Sequence, residues 1–213
     1  MTEVVIKNTD FLNKLEKIRT TLFSLETFGD KKYNFYGPKD AITRGEFYTS
    51  DEFLSDILAR EKDYGYPVEH FSQPIGNAAD QSPEIFKQFY NSVKYDFALE
   101  LGSIANALFN FYPPGGFVGW HNNWNAAAHQ ILFTWSETGN GFFKYQDNET
   151  GNIIKLEDKP GWQARHYRFE QKEEKRCWHA AYTSCRRITL AYKFSLDNSI
   201  ILDELLEEIQ ETV

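Results

Sequence analysis

The sequence predicts an α+β fold: helices first, then a run of mostly antiparallel strands, then one more helix. Three observations carry that reading. Apolar residues recur at helical spacing in the first hundred residues. They change to strand-like alternation between Ile104 and Phe194. Aromatic residues make up 16% of the chain, which suits a β-rich core and a lined cavity better than a helical bundle. The β part reads as a sandwich or a barrel.

Taken in order, Asn8-Thr9 caps a first helix with Phe11, Leu12, Leu15, Ile18 and Leu22 on one face, extended by Phe23 and Leu25 up to Gly29-Asp30. Residues 32–36 are short and aromatic, stop at Gly37-Pro38, and read as a strand. Thr49-Ser50-Asp51-Glu52 has capping-box character and opens a second helix through Leu54, Ile57 and Leu58. Residues 64–81 read as a long connection of the kind that covers a site or carries specificity. Ser82-Pro83 starts a third helix with proline at its first position, lined by Phe86, Phe89, Tyr90, Val93 and Phe97. Strands follow at 104–112, 129–135, 141–145, 152–156, 162–169 and 187–194, with a turn at Asn148-Glu149-Thr150-Gly151. Alternation places Asn106, Leu108, Asn110 and Tyr112 on one face, and His129, Ile131, Phe133 and Trp135 on one face of the next strand. Ser199 caps a last helix through Ile201, Leu202, Leu205, Leu206 and Ile209, with a solvated acidic face.

A chain of 213 residues fits a single domain: helical support over 1–100, the β core over 101–196 and the last helix over 197–213. A hydrophobic content of 41% and a charged content of 25% describe a soluble globular protein. The net charge of -8 argues against non-specific binding to nucleic acid or to an anionic membrane. Cys177 and Cys185 are too few for a disulfide scaffold and read as reduced thiols of a cytoplasmic protein. Neither a signal-peptide pattern nor a bilayer-spanning apolar run is present in the sequence.

The residues that can carry chemistry fall in two neighbourhoods. The first runs from Asn110 through Pro113-Pro114-Gly115-Gly116 to His121-Asn122-Asn123. The second is Cys177-Trp178-His179, followed by Arg186-Arg187-Ile188-Thr189. Two histidines on separate strands make a metal pocket for Fe(II), Zn(II), Mn(II) or Cu(II), because neutral imidazole donates well to all of them. The same spacing also serves two hydrogen-bonded structural histidines. His129 reads as structural or substrate-facing, and His70 and His166 as non-ligands. Cys177 shares a face with His179 if that segment is extended, as a thiolate ligand or as a buried thiol. The five tryptophans, Trp120, Trp124, Trp135, Trp162 and Trp178, wall the pocket or pack the core. Residues 172–176 read as a solvated charged loop. No phosphate-binding glycine loop, Ser-His-Asp order or paired-cysteine zinc pattern occurs.

This ordered set resembles the Fe(II)/2-oxoglutarate-dependent oxygenases with a double-stranded β-helix core. The pattern of that family is a histidine, an acid two residues on, a distal histidine and an arginine shortly after; here it reads His121-Asn122-Asn123, His179 and Arg187-Ile188-Thr189. Asn110-Phe111-Tyr112 is similar to the Asn-x-Tyr that contacts 2-oxoglutarate in several branches. The resemblance covers roughly residues 104–194, and the prolyl-4-hydroxylase-like members, including small ones encoded by tailed bacteriophages, are similar in length and texture. It implies a double-stranded β-helix, jelly-roll or cupin-like, between N-terminal helices and one C-terminal helix. It implies Fe(II), 2-oxoglutarate as cosubstrate, O2, and hydroxylation of a peptidyl or small-molecule C–H bond. His121 and His179, with Asn123, would hold the metal. Arg187, with Thr189, Tyr112 and Asn110, would anchor 2-oxoglutarate, whose far carboxylate needs a buried counter-charge. Arg186 points the other way and competes if the register shifts by one.

Asn123 is the departure, since the family has a carboxylate there. An amide oxygen coordinates a cation without formal charge, so iron is held more weakly. Three readings stay open: a weak third ligand in a hydroxylase, a third position left to water or chloride as in halogenating members, or a fold kept for binding a ligand or partner without turnover. A cupin-like metal protein using His121, His129 and His179 without 2-oxoglutarate is a further alternative.

Overall fold

Helix α1, Thr9–Ser24, starts where the sequence offers a cap: Asn8 Oδ1 accepts the Phe11 N–H at 2.9 Å. A computed structural model describes this helix and residues 1–25, 39–60, 62, 64–75, 84–124, 127–169, 177–197 and 199–212 in all. The strand expected at 32–36, the helix start at Ser82-Pro83 and the charged run at 172–176 lie outside the described residues. The architecture mixes helices with two antiparallel sheets.

The sheets are built mainly from eight strands that follow one another in sequence: β4 (Ala105–Tyr112), β5 (Phe117–His121), β6 (Ala128–Ser136), β7 (Gly141–Gln146), β8 (Ile153–Glu157), β9 (Gly161–Phe169), β10 (His179–Thr183) and β11 (Arg187–Phe194). Three short strands, β1 (Thr2–Val4), β2 (His70–Phe71) and β3 (Gln73–Pro74), complete the edges. The first sheet has the order β1-β9-β6-β11-β4-β3 and the second β2-β5-β10-β7-β8. From β4 to β11 the chain therefore passes back and forth between the sheets. Period-two alternation then gives each strand of the first sheet two different faces.

One face of the first sheet packs under the helices. Phe109, Phe111, Ile131, Phe133, Ile188, Leu190 and Tyr192 meet Phe11, Leu15 and Leu22 of α1 and Leu202, Leu205 and Ile209 of the last helix, Ile200–Gln210. The opposite face meets the second sheet, where Leu132, Tyr167 and Ala191 pack with Phe143, Tyr145 and Ala181. Strand β11 is covered on both sides, which is why Arg187–Phe194 reads as a nearly unbroken buried run. Outside the second sheet, Leu54 and Ile57 of the helix Asp51–Ala59 pack on Trp120 and Trp178.

Several elements differ from expectation. Ala41–Tyr48 is a helix without a clear apolar period; Gly45 within it lies so close to the Tyr182 ring that a Cβ there would fall 2.7 Å from it. The third helix is composite: Glu84–Asn91, a π segment Ser92–Asp96, and Phe97–Glu100. Tyr192 hydroxyl donates to the Val93 carbonyl at 2.8 Å inside the π segment, satisfying an acceptor there. Ser50 caps its helix by accepting from Phe53 N–H, whereas Ser199 makes no side-chain cap bond. Trp120, Trp135, Trp162 and Trp178 pack in hydrophobic clusters and do not wall the central cavity. No described helix is long and apolar enough to cross a membrane.

Asn8 ties both ends of the helical layer together, because its Nδ2 also donates to the Glu208 carbonyl of the last helix at 3.2 Å. Asn8→Ala is expected to lower the unfolding free energy by about 1–2 kcal/mol in urea denaturation. Asn8→Ser, which restores the capping acceptor, should recover part of that loss.

Candidate metal centre

Strand β5 ends at His121 and β10 begins at His179, and the two residues are direct cross-strand partners. Their side chains emerge together, with ring centroids 4.1 Å apart and planes tilted by 50°. Each ring is oriented by its own backbone. His121 Nδ1 donates to the Gly119 carbonyl at 2.9 Å, and His179 Nδ1 to the Cys177 carbonyl at 2.8 Å. That places the proton on Nδ1 and makes each Nε2 the lone-pair nitrogen, the atom that can ligate a cation. Burial, reinforced by the neighbouring His179, holds His121 well below the ordinary histidine value. Burial pushes His179 down to about 4. Both imidazoles are thus neutral at pH 7, the state that binds metal.

Beyond β5 the chain turns sharply. Asn123 and Trp124 have φ of 59° and 40°, in the left-handed region. The Asn122 and Asn123 N–H groups donate to the Tyr64 and Gly65 carbonyls at 3.0 and 2.8 Å, so the 64–65 segment holds the turn. Gly65 must be glycine for this: a Cβ there would fall 1.9 Å from the Trp124 ring. The turn carries the Asn123 amide to His179, with Nδ2 3.3 Å from Nε2. The amide NH2 thus faces the histidine pair, and turning the amide over would bring Oδ1, the atom that can coordinate a cation, to the same side. The donor set fits a divalent cation of borderline softness and supplies it no negative charge. Among the described residues no group of three His, Cys, Asp or Glu side chains gathers to hold a metal.

The other end of the site is cationic. Arg187 and Tyr112 are cross-strand partners, as are Thr189 and Asn110, so these four residues form two adjacent pairs. Arg187 is 1% exposed, and its Nε donates to Asp158 Oδ2 at 2.8 Å. Arg165 Nη1 donates to Oδ1 of the same carboxylate at 3.2 Å. Burial beside a second guanidinium lowers the Arg165 pKa, with Asp158 opposing. The Tyr112 ring lies 5.3 Å from the Arg187 guanidinium carbon. Arg187 Nη2 and Thr189 Oγ1 are both buried without a hydrogen-bond partner. Asn110 Nδ2 donates to Ser72 Oγ at 3.3 Å. Arg186 points outward and pairs with Glu137.

A cavity of about 500 Å³ between the sheets joins the two ends and is lined by His121, Asn123, His179, Arg187, Thr189, Tyr112 and Asn110. His129 does not line it; its Nδ1 lies 3.1 Å from His166 Nε2, which removes it from a shared ligand set with His121 and His179. His70 stands on β2 and lines the cavity without joining the pair. The Cys177 thiol is pushed up to about 11 by burial, so it is not a thiolate at neutral pH. Sequence reasoning missed Asp158, Arg165 and Gly65. Arg165 sits at a legible inward position of β9, opposite Leu132. Asp158 and Gly65 lie in turns, where periodicity says nothing about burial.

No family model and no curated protein matches the sequence. Among solved structures, the chain is similar to the hydroxypropylphosphonic acid epoxidase from S. wedmorenis in complex with fosfomycin: 16% identity, 45% of this chain and 46% of that chain, TM-score 0.30. It is also similar to YcfD, a ribosomal oxygenase from Escherichia coli: 20% identity, 45% and 24% of the two chains, TM-score 0.28. A Pseudomonas putida prolyl-4-hydroxylase is similar at 15% identity over 76% of this chain and 89% of that chain, with a TM-score of 0.31. The match spans less than half the length of the first two proteins.

Neutral buried histidines make the metal-free protein acid-sensitive. The unfolded chain takes up a proton at each histidine near the ordinary 6.5, whereas folded His179 does so only near 4. Stability therefore falls as pH drops from 6.5 towards 4, by about 3 kcal/mol from His179 alone. Urea unfolding of metal-free protein at pH 7.5 and 4.5 should show this loss, reduced in His179→Gln.

Proposed function

We propose that this chain is a non-haem Fe(II)- and 2-oxoglutarate-dependent oxygenase, hydroxylating a C–H bond of a peptidyl or small-molecule substrate. The observation that carries the reading is the unpartnered, buried Nη2 of Arg187 beside the unpartnered Thr189 hydroxyl, in one cavity with two convergent imidazoles. A buried guanidinium edge without an acceptor calls for an anion. The strand orders of the two sheets and the passage of the chain between them support a double-stranded β-helix.

His121 and His179 would hold the iron through Nε2, with Asn123 as a neutral third ligand. Bound Fe(II) would supply a Lewis-acid centre that chelates the 2-oxo acid end of the cosubstrate and activates O2. Arg187 Nη2 and Thr189 Oγ1 donate to the far carboxylate. Asp158 fixes the guanidinium plane through Nε, so that Nη2 keeps its direction before ligand arrives. The Tyr112 ring covers that guanidinium. Leu108, Leu132, Ala181 and Ala191 make the middle of the cavity apolar, which excludes water between the two polar ends.

A second reading has one observation in its favour, the amide at position 123. A site without a carboxylate binds cations weakly, and the cavity would then bind a dicarboxylate without turnover. Adding Fe(II) and 2-oxoglutarate under anaerobic conditions separates the two. The oxygenase reading predicts a visible metal-to-ligand charge-transfer band that disappears in His179→Ala and Arg187→Ala. Asn123→Asp should tighten iron by roughly tenfold or more, because it adds a charge next to the cation. A band that never forms in wild type at high iron, yet forms in Asn123→Asp, selects the binding-protein reading.

A further inference from the structure

Arg187 is not the only cation in the cavity. Thr189, Ala191 and Lys193 line it with Arg187, all on β11 and each two residues from the next. Six residues of extended strand separate Arg187 from Lys193, about 20 Å. At that separation the two head groups do not converge on one carboxylate. Lys193 is the cross-strand partner of Gln130, and Gln130 of Tyr167. The Tyr167 hydroxyl donates to Gln130 Oε1 at 3.2 Å, which fixes the amide with its NH2 group turned away from that hydroxyl. Gln130 is only 4% exposed and lines the cavity. Lys193 is half-buried and has no ion pair among the described residues.

This cluster stands close to the histidine end. The Tyr167 ring centroid is 6.3 Å from that of Phe143, and Phe143 stacks on His179 at 5.6 Å. Among the described residues the cavity lining contains no Asp or Glu, although the whole chain carries a net charge of -8. The outside is acidic while the lining holds two cations, and walls of low dielectric focus that positive field inward. A cavity-lining ammonium without an ion pair among the described residues, beside an amide that can donate, selects a group with anionic oxygens.

We propose that the substrate taken beside 2-oxoglutarate is an organic acid, whose carboxylate or similar anionic group is held by Lys193 Nζ and the Gln130 amide. This rests on the oxygenase reading for the placement of 2-oxoglutarate at Arg187. Anchoring the anionic end there leaves the remainder of the molecule to extend past Tyr167 and Phe143 towards the histidines.

The test uses the full chain loaded with Zn(II) and saturated with 2-oxoglutarate. Binding of N-acetyl amino acids, each paired with its own primary amide, is followed by ligand-observed NMR. Acids should bind more tightly than their amides by roughly tenfold. The preference should vanish in Lys193→Met and persist in Lys193→Arg. The proposal is overturned if no acid of the set outbinds its amide, or if the preference survives Lys193→Met. It is also overturned if 2-oxoglutarate binding is lost in Lys193→Met and kept in Arg187→Met, since Lys193 would then be the cosubstrate anchor. Failure of 2-oxoglutarate to bind the wild type at all is read separately, and counts against the oxygenase reading.

Discussion

Two guanidinium groups share one carboxylate inside this protein, and much of the site follows from that imbalance. Asp158 accepts from Arg165 and Arg187, and the side chains involved are almost wholly buried. The cluster keeps one positive charge uncompensated. A buried charge without a full partner set costs several kcal/mol. The face of Tyr112 offsets part of this, and a bound anion would complete it. The cluster also dictates local sequence. Asp158 N–H donates to the Gly141 carbonyl at 2.8 Å, and a Cβ at Gly141 would lie 2.7 Å from Asp158 Oδ2. Glycine at the start of β7 is therefore what lets the carboxylate reach the arginines.

At the opposite end, the histidine pair depends on register. His179 opposes His121 directly, and a bulge between His179 and Ala181 shifts the rest of β10 against β5. A slip of one residue would turn one imidazole to the other face. Asparagine suits position 123 because it tolerates positive φ, and under the proposed reading its side-chain oxygen would be the third ligand. In a cavity loaded as proposed, the amide would leave the site one unit more positive than a carboxylate, the direction that favours a second anion near Lys193. The departure at Asn123 and the unpaired cation at Lys193 thus point the same way.

Much of the β core was legible because its strands alternate strongly. The bounds read for the last strand, 187–194, are those of β11; of the face read as Asn106, Leu108, Asn110 and Tyr112, the last three line the cavity, while at a register shift opposite Ala191 and Tyr192 Asn106 Nδ2 donates to the Leu108 and Ala191 carbonyls instead. The first helix was legible through Asn8 and its apolar stripe. What escaped lacks a period. β1, β2 and β3 are two or three residues long, too short for alternation to register. The helix at Ala41–Tyr48 is hidden by Gly45, whose reason is the Tyr182 ring from a distant strand. In the site, the positions of His121, His179 and Arg187 could be named from spacing. Asp158 could not, because its partners come from β9 and β11 and its own segment looks like an exposed turn.

The most direct measurement is a crystal structure of the protein grown with Mn(II) and 2-oxoglutarate, with the metal located by anomalous scattering. The account predicts an anomalous peak bonded to Nε2 of both His121 and His179, and a 2-oxoglutarate carboxylate on Arg187 Nη2 and Thr189 Oγ1. A metal bound away from the histidine pair, or a cosubstrate that leaves Arg187 Nη2 without an acceptor, would contradict it.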